Sequence, residues 1–338
     1  MSAQQAEMIQ TEVKQQAIDS NTVPLVSVII PAYNAAEYIG EALESVFNQT
    51  FTSHETIVIN DGSPDTNELE QKLEPYKASI KYIKQDNCGA AAARNVGIRA
   101  ARGEFVAFLD ADDHWLTTFL ERQVEFLNST NADLVYSDAL LFGDSPITAR
   151  TFMDAHPSRG AVTPEALLTV QVTVLTSTVL ARKQPIMDVG LFDETIKRGH
   201  DFDLWLRLAK FGARFAYQRE VLAEHRILES GLSGNMIRQL ERSLSVFETI
   251  KARGKLTANE AAALQLNLDR THAGIALENG KQKLLAKDFA GALDCFKEVS
   301  KFRWNWKLTV VSLGVRIAPQ TLWRMYHRRN QNGVTRSG

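Results

Sequence analysis

Phe105-Val106-Ala107-Phe108-Leu109-Asp110-Ala111-Asp112-Asp113 is the stretch that decides the fold. Five consecutive apolar residues run straight into three carboxylates spread over four positions. An apolar run this short, coming after Gly103, reads as a central strand buried on both faces. Its acids then sit at the carboxyl end of the strand, where open α/β sheets bind their ligands. Crowded carboxylates repel one another, and burying each alone is costly. A divalent cation carrying phosphate oxygens removes that conflict, because hard oxygen donors suit Mg²⁺ or Mn²⁺. The same nine residues also fit a solvated acidic turn capping a helix that begins near Trp115. Alone they do not choose between the two.

The chain on the amino-terminal side frames this strand. Leu25 to Ile30 is a β-rich run ended by Pro31, and Ala35 to Asn48 has helical periodicity through Ile39, Leu43, Val46 and Phe47. His54 to Asn60 returns to strand and ends in Asp61-Gly62-Ser63-Pro64-Asp65. Leu69, Leu73 and Tyr76 mark another helix, followed by a short strand at Ile80 to Lys84. Ala90 to Arg102 is an Ala-rich helix stopped by Gly103. This β-α-β-α-β-α-β alternation predicts an α/β fold, a mostly parallel sheet with helices on both faces.

Three strand ends in this half carry polar groups: Tyr33-Asn34, Asp61-Gly62-Ser63 and Asp110-Ala111-Asp112. A nucleotide site at that edge needs an aromatic face for a base, acceptors for its polar edge and ribose, and a metal for the phosphates. No G-x-G-x-x-G follows the first strand and no P-loop is present. The phosphate charge therefore falls to metal and side chains.

The composition is that of an ordinary globular chain: 338 residues, 44% hydrophobic, net charge −2. That charge gives no reason to expect nucleic acid as a partner. Cys88 and Cys295 lie far apart and match no metal or redox spacing, and no signal peptide is evident. The expected location is a reduced cytoplasm, with the inner face of the plasma membrane as the further option. Residues 1–23 are polar and Gln-rich and read as a flexible leader. No apolar run reaches transmembrane length.

Beyond Gly234 the pattern is helical. Met236 to Lys255 and Thr257 to Glu278 are long helices, the second opening with the capping-box spacing Thr257-Ala258-Asn259-Glu260. Gly280 separates it from a helix at Leu284 to Ser300, and the small/large alternation resembles one tetratricopeptide-like pair within residues 231–300. Residues 301–338 mix Trp304, Trp306, Leu313, Ile317 and Trp323 with Lys307, Arg316 and Arg324. Such a basic, aromatic tail suits a helix at a membrane interface; core helices with a solvated basic end are the alternative.

Several ordered motifs resemble the family 2 glycosyltransferases over residues 24–230. They are Val26-Ser27-Val28-Ile29-Ile30-Pro31-Ala32-Tyr33-Asn34, Ser45-Val46-Phe47-Asn48-Gln49-Thr50, Val58-Ile59-Asn60-Asp61-Gly62-Ser63, Asn87-Cys88-Gly89, Ala93-Arg94-Asn95-Val96-Gly97-Ile98 and Gly103 through Asp113. The resemblance implies a GT-A-like catalytic domain that uses a nucleotide sugar, Mg²⁺ or Mn²⁺, and inversion at the anomeric carbon. Carried over by it, Asp61 binds the base or ribose, Asp110 the ribose or sugar side, and Asp112 the metal. Pro31, Tyr33, Asn34, Asn87, Arg94 and Ala111 complete the donor site. His225 is expected at the metal or diphosphate and Arg226 at the phosphate charge. Gly199-His200-Asp201-Phe202-Asp203 resembles the acidic pair that opens a helix, whose second member is the general base. Here that is Asp201.

The first member of the pair is His200, which departs from the family and is expected to add a positive charge below about pH 6.5. Helix capping is the bland reading of Asp201, and Asp203 is expected on the helix face. The function implied is transfer of a sugar, first from a uridine diphosphate donor, to a hydroxyl of a glycan or lipid-linked acceptor in bacterial-type surface polysaccharide synthesis. The His200 departure motivates the alternative, a catalytically silent nucleotide-sugar or glycan-binding protein on the same fold.

Overall fold

The structure is a computed structural model that describes residues 23–143, 150–227, 236–302 and 306–334. The leader and the loop at Ser230-Gly231-Leu232-Ser233, which also resembles the family, lie outside the described residues. Two compact units divide the chain between Arg226 and Ile227.

The first unit is built on an eight-stranded sheet in the order β3-β2-β1-β4-β7-β6-β8-β5. Strands β1 (Val26–Ala32), β2 (His54–Asp61), β3 (Ile80–Gln85) and β4 (Phe105–Phe108) are all parallel. They are joined by α1 (Ile39–Phe47), α2 (Thr66–Leu73) and α3 (Ala90–Ala100). β1 alternates faces as a strand buried on both sides must. Val26, Val28, Ile30 and Ala32 meet Ile39, Leu43 and Val46 of α1, whereas Ile29 meets Ala93 and Ile98 of α3. The close approach of α3 needs Gly97, since a Cβ there would stand 2.5 Å from Ile29 Cγ2. β1 does not end at Pro31 as expected but runs on to Ala32. The last β4 pairing is Ile29 with Phe108, so the N–H that Pro31 lacks costs no bond to β4.

Beyond β4 the sheet turns antiparallel. β7 (Val179–Arg182) pairs with β4 and with β6 (Leu134–Gly143), and β5 (His114–Trp115) pairs with β8 (Phe215–Ile227). One sequence expectation changes here. Trp115 lies in a short strand, and the helix, α4, begins only at Phe119 and runs to Thr130. Leu134–Gly143 is a strand that the sequence reading did not identify. Thr173 to Ala181, whose β-branched residues suit a strand, contains a 3₁₀ turn at Thr176–Thr178, where the Thr178 hydroxyl donates to the Leu175 carbonyl at 2.8 Å. Short helices α5 (Phe152–Ala155), α6 (Pro164–Leu168) and α7 (Lys183–Asp188) precede α8 (His200–Phe211). α8 covers the second face through Leu204, Trp205 and Leu208.

The second unit is helical: α9 (Met236–Arg253), α10 (Ala258–Leu285), α11 (Phe289–Phe302), α12 (Trp306–Ile317) and α13 (Pro319–Val334). The Thr257–Glu260 capping box forms in both directions. Gly280 does not break the helix as expected; α10 runs through it as 28 residues. That glycine is a contact point instead, for a Cβ there would lie 2.5 Å from the Phe296 ring. The reversal comes at Lys287, which adopts a φ of 63°.

Candidate active site

The acids after β4 enter two different environments. Asp110 accepts from the Arg94 guanidinium at 2.5 Å, and the other arm of that guanidinium meets His200 Nε2 at 2.7 Å. Arg94 projects from α3 and is buried, its ring face contact being Phe192 at 5.7 Å. Burial pushes the Asp110 carboxyl up, but the charge and hydrogen bonds of Arg94, with the imidazoles of His225 and His200, hold it below the usual carboxylate range. Burial and the Arg94 charge both hold His200 below the usual imidazole range. His200 Nε2 accepts from Arg94, and the positive charge expected of it is pushed to lower pH.

Asp113 is fully buried and accepts from His225 Nδ1 at 3.0 Å and from the Arg226 backbone N–H at 2.9 Å. Asp113 and its neighbours raise the His225 pKa against the opposing effect of burial. The Arg226 side chain donates to the Asp112 carbonyl at 3.0 Å and to Glu41 at 2.5 Å, between the rings of Tyr38 and Phe142. Its guanidinium is thus engaged by protein groups that fix the acidic turn.

Asp112 differs from both neighbours. Among the described residues its carboxylate forms no ion pair, and the charge of His225 opposes the rise in its pKa only in part. Burial first, then the charges of Asp113 and Asp110, raise its pKa to about 6. The divalent ion implied by the resemblance fits this donor set. Among the described residues no three His, Cys, Asp or Glu side chains form a complete cage. Mg²⁺ and its like are commonly held by one or two carboxylates plus substrate phosphates. Asp112 offers the uncompensated carboxylate. The Asp113 bond to Nδ1 leaves His225 Nε2 as the nitrogen able to ligate, the usual carboxylate–imidazole arrangement.

Asp61 ends β2 with its carboxylate turned to the loop that precedes α3. It accepts from Gln85 Nε2 at 2.7 Å, Cys88 N at 2.9 Å and Gly89 N at 2.8 Å. Three of its roughly four lone-pair positions are filled, so one remains for a ligand. Gly62 must be glycine here: its φ is 62°, and a Cβ would meet Asn87 N at 2.5 Å. Asn34, at φ 52°, is pinned by Ser63, whose hydroxyl accepts from its N–H at 2.6 Å. Tyr33 and Asn87 are exposed beside these turns, and Ala111 is buried in the acidic one.

Asp201 lies in the first turn of α8. It accepts from the Thr176 hydroxyl at 3.2 Å and from the Phe202 N–H at 2.8 Å. Ser177, next to Thr176, accepts from the Asp110 N–H at 3.2 Å, so one 3₁₀ turn ties Asp110 to Asp201. Sequence reasoning missed Thr176 and Ser177. Their only trace was three hydroxyl residues in a row between Leu175 and Val179. Asp203 is buried on the helix face as expected, paired with Arg207 at 2.7 Å. Asn95 clamps the Phe192 backbone and lies under the site.

Comparison with known proteins agrees with this arrangement. The family model for glycosyl transferase family 2 matches residues 27–161. The chain is 30% identical over 234 residues to the putative teichuronic acid biosynthesis glycosyltransferase TuaG of Bacillus subtilis, covering 69% of this chain and 90% of that one. It is also 30% identical over 228 residues to the UDP-Glc:alpha-D-GlcNAc-diphosphoundecaprenol beta-1,3-glucosyltransferase WfaP of Escherichia coli, covering 67% and 86%. Among solved structures, the mannosyltransferase PcManGT from Pyrobaculum calidifontis, in complex with GDP-Man and Mn²⁺, superposes with a TM-score of 0.60. The sequence identity is 16%, and 97% of this chain and 92% of that one are covered. Fold, strand-end acids and relatives converge, and the chain belongs to the family 2 glycosyltransferases.

Proposed function

We propose that the chain transfers a sugar from a uridine diphosphate sugar to a hydroxyl of a glycan or lipid-linked acceptor in surface-polysaccharide synthesis. One observation carries the reading. Asp110, Asp113 and Asp203 each face a basic side chain, and Asp61 faces backbone N–H groups. Asp61 has no ion pair either but is held by three N–H donors, whereas Asp112 and Asp201 have neither an ion pair nor more than one backbone N–H donor among the described residues. The paired acids build the site and the two others do its chemistry.

Asp201 receives the proton of the acceptor hydroxyl as its oxygen bonds to the anomeric carbon. The bond from that carbon to the donor diphosphate breaks, and its electron pair leaves with the diphosphate. A placed base of this kind contributes about 10²–10⁴ in rate. Thr176 donates to Asp201 and sets the direction of its free oxygen lone pairs. Asp112 and His225 would hold the divalent ion, which when bound offsets the charge of the leaving diphosphate. Arg94 keeps Asp110 ionised toward the ribose or sugar side, and His200 keeps Arg94 in place. Tyr33, Asn34, Asn87, Pro31, Ala111 and the open lone pair of Asp61 line the nucleotide side. A carboxylate accepts from the imide N–H of a pyrimidine, which favours uridine and, after it, thymidine donors.

The relatives' names support the reading, TuaG through a polysaccharide and WfaP through UDP-Glc and a lipid-linked acceptor. The test is transfer from a panel of uridine, thymidine and guanosine diphosphate sugars with Mn²⁺. Transfer from a uridine donor is expected. Tight calorimetric binding of guanosine diphosphate with none of uridine diphosphate overturns the nucleotide assignment, and binding without transfer to any acceptor favours the catalytically silent alternative.

A further inference from the structure

α12 carries two apolar faces. Leu308 and Val315 are buried, in one cluster with Phe296 and Val299 of α11. On the other side Trp306, Val310, Leu313 and Ile317 are 57, 60, 55 and 74% exposed. At about 100° per residue these four fall within about 60° of one another, and about 180° from Leu308 and Val315. The exposed Lys307 and Arg316 flank that stripe on its two sides. α12 therefore already has its internal partner, and the outward stripe is in surplus of what the helical unit needs. A contiguous apolar patch of this kind marks an interaction surface.

The charge says what meets it. From Lys301 to Gly338 there are eight Lys and Arg and no Asp or Glu, in a chain whose net charge is −2. Cations flanking an apolar stripe complement a sheet of anionic headgroups, each adding attraction near such a surface. Trp is also the side chain suited to the headgroup boundary. At 12 residues α12 is about 18 Å long, well short of a bilayer core. No helix among the described residues is long and apolar enough to cross a membrane. A helix with these properties lies in the plane of the interface.

We propose that α12 docks flat on an anionic lipid surface, with Trp306, Val310, Leu313 and Ile317 entering the headgroup boundary and Lys307 and Arg316 meeting the headgroups. The test is flotation of the full chain with vesicles of mixed phosphatidylglycerol and phosphatidylcholine, against phosphatidylcholine alone. Binding at low salt to the mixed vesicles is expected, at least about tenfold above phosphatidylcholine alone and reduced by added salt. Val310→Asp/Leu313→Asp should lower the partition at least about tenfold, and Lys307→Gln/Arg316→Gln at least about threefold, with circular dichroism unchanged. Val310→Ser/Leu313→Ser serves as the uncharged control and should also lose binding. Equal binding by the parent and both Val310/Leu313 variants overturns the proposal, as does no binding by the parent. A dimer in light scattering that Val310→Asp/Leu313→Asp dissociates, without vesicle binding, assigns the face to a second copy instead. Transfer to a soluble acceptor should be unchanged in every variant, which keeps this test separate from that of the catalytic reading.

Discussion

Asp110 and Asp112 stand two residues apart in one turn, yet the two sides of that turn are opposite in charge balance. On one side Arg94 reaches up from α3 and holds Asp110 ionised. On the other, burial first and then the charges of Asp113 and Asp110 raise the Asp112 pKa to about 6. An acid whose counter-ion is supplied by the protein is a structural part, because its charge is already spent on the fold. An acid left uncompensated stores an electrostatic conflict that a cation or substrate resolves on binding, the pattern expected of functional groups. The same contrast separates Asp203, paired with Arg207, from Asp201 two residues before it.

The largest break in this comparison is expected at Asp201. Asp201→Asn should lower turnover by about 10²-fold or more while nucleotide affinity holds, as loss of a base used only in the transition state requires. Steady-state transfer rates alongside calorimetry with uridine diphosphate give the check. A wild-type rate in Asp201→Asn would make Asp201 a helix cap and nothing more.

Arg94→Met tests the paired side. It removes the cation of Asp110 and orphans the His200 acceptor, so the fold should lose about 2–3 kcal/mol, less than for a fully buried pair because Asp110 is partly exposed. Urea denaturation measures this. Arg94→Lys should not restore the loss, since one ammonium cannot span both His200 and Asp110 as the planar fork does. An unchanged midpoint in both variants would mean that the pairing does not support the fold.

The parallel half of the sheet was legible because its signals are local. Continuous apolar runs such as Val28-Ile29-Ile30 and Ile57-Val58-Ile59 end in turn residues, and the acids follow directly. The antiparallel half was not, because its strands are fixed by distant partners. His114–Trp115 is a strand only through Glu224 and Ala223, and Leu134–Tyr136 through Val179–Ala181. At the site, the individual acids could be picked out from their place at strand and helix ends. Their division into paired and unpaired could not, since Arg94 finds His200 106 positions away and Thr176 finds Asp201 through a turn that β-branched residues disguised as strand. Gly280 misled for a related reason. Its lack of a side chain serves the Phe296 contact across two helices, not a break within one.

A smaller effect lies at the far, amino-terminal end of the strands. Glu55 accepts from the Ser27 hydroxyl at 2.7 Å and from Arg102 through its N–H at 2.7 Å and its side chain at 2.9 Å. Burial alone would raise its pKa, but these hydrogen bonds and the Arg102 charge hold it below the usual carboxylate range. A depressed folded pKa contributes stability that is present above the unfolded value and lost as pH falls through the folded one. Glu55→Gln should therefore cost about 1–2 kcal/mol at pH 7. Parent and variant should converge as the pH is lowered below the unfolded value, in urea midpoints taken across that range. A constant gap at all pH values would assign the loss to shape and not to charge.

The most direct measurement is calorimetric titration of uridine diphosphate with and without Mn²⁺, in the parent, Asp112→Asn and Asp201→Asn. The division of acids predicts that Mn²⁺ strengthens binding at least about tenfold in the parent. Asp201→Asn should keep that gain and Asp112→Asn should lose it with its fold intact. A gain from Mn²⁺ as large in Asp112→Asn as in the parent would contradict the assignment of Asp112 as the acid that awaits the cation.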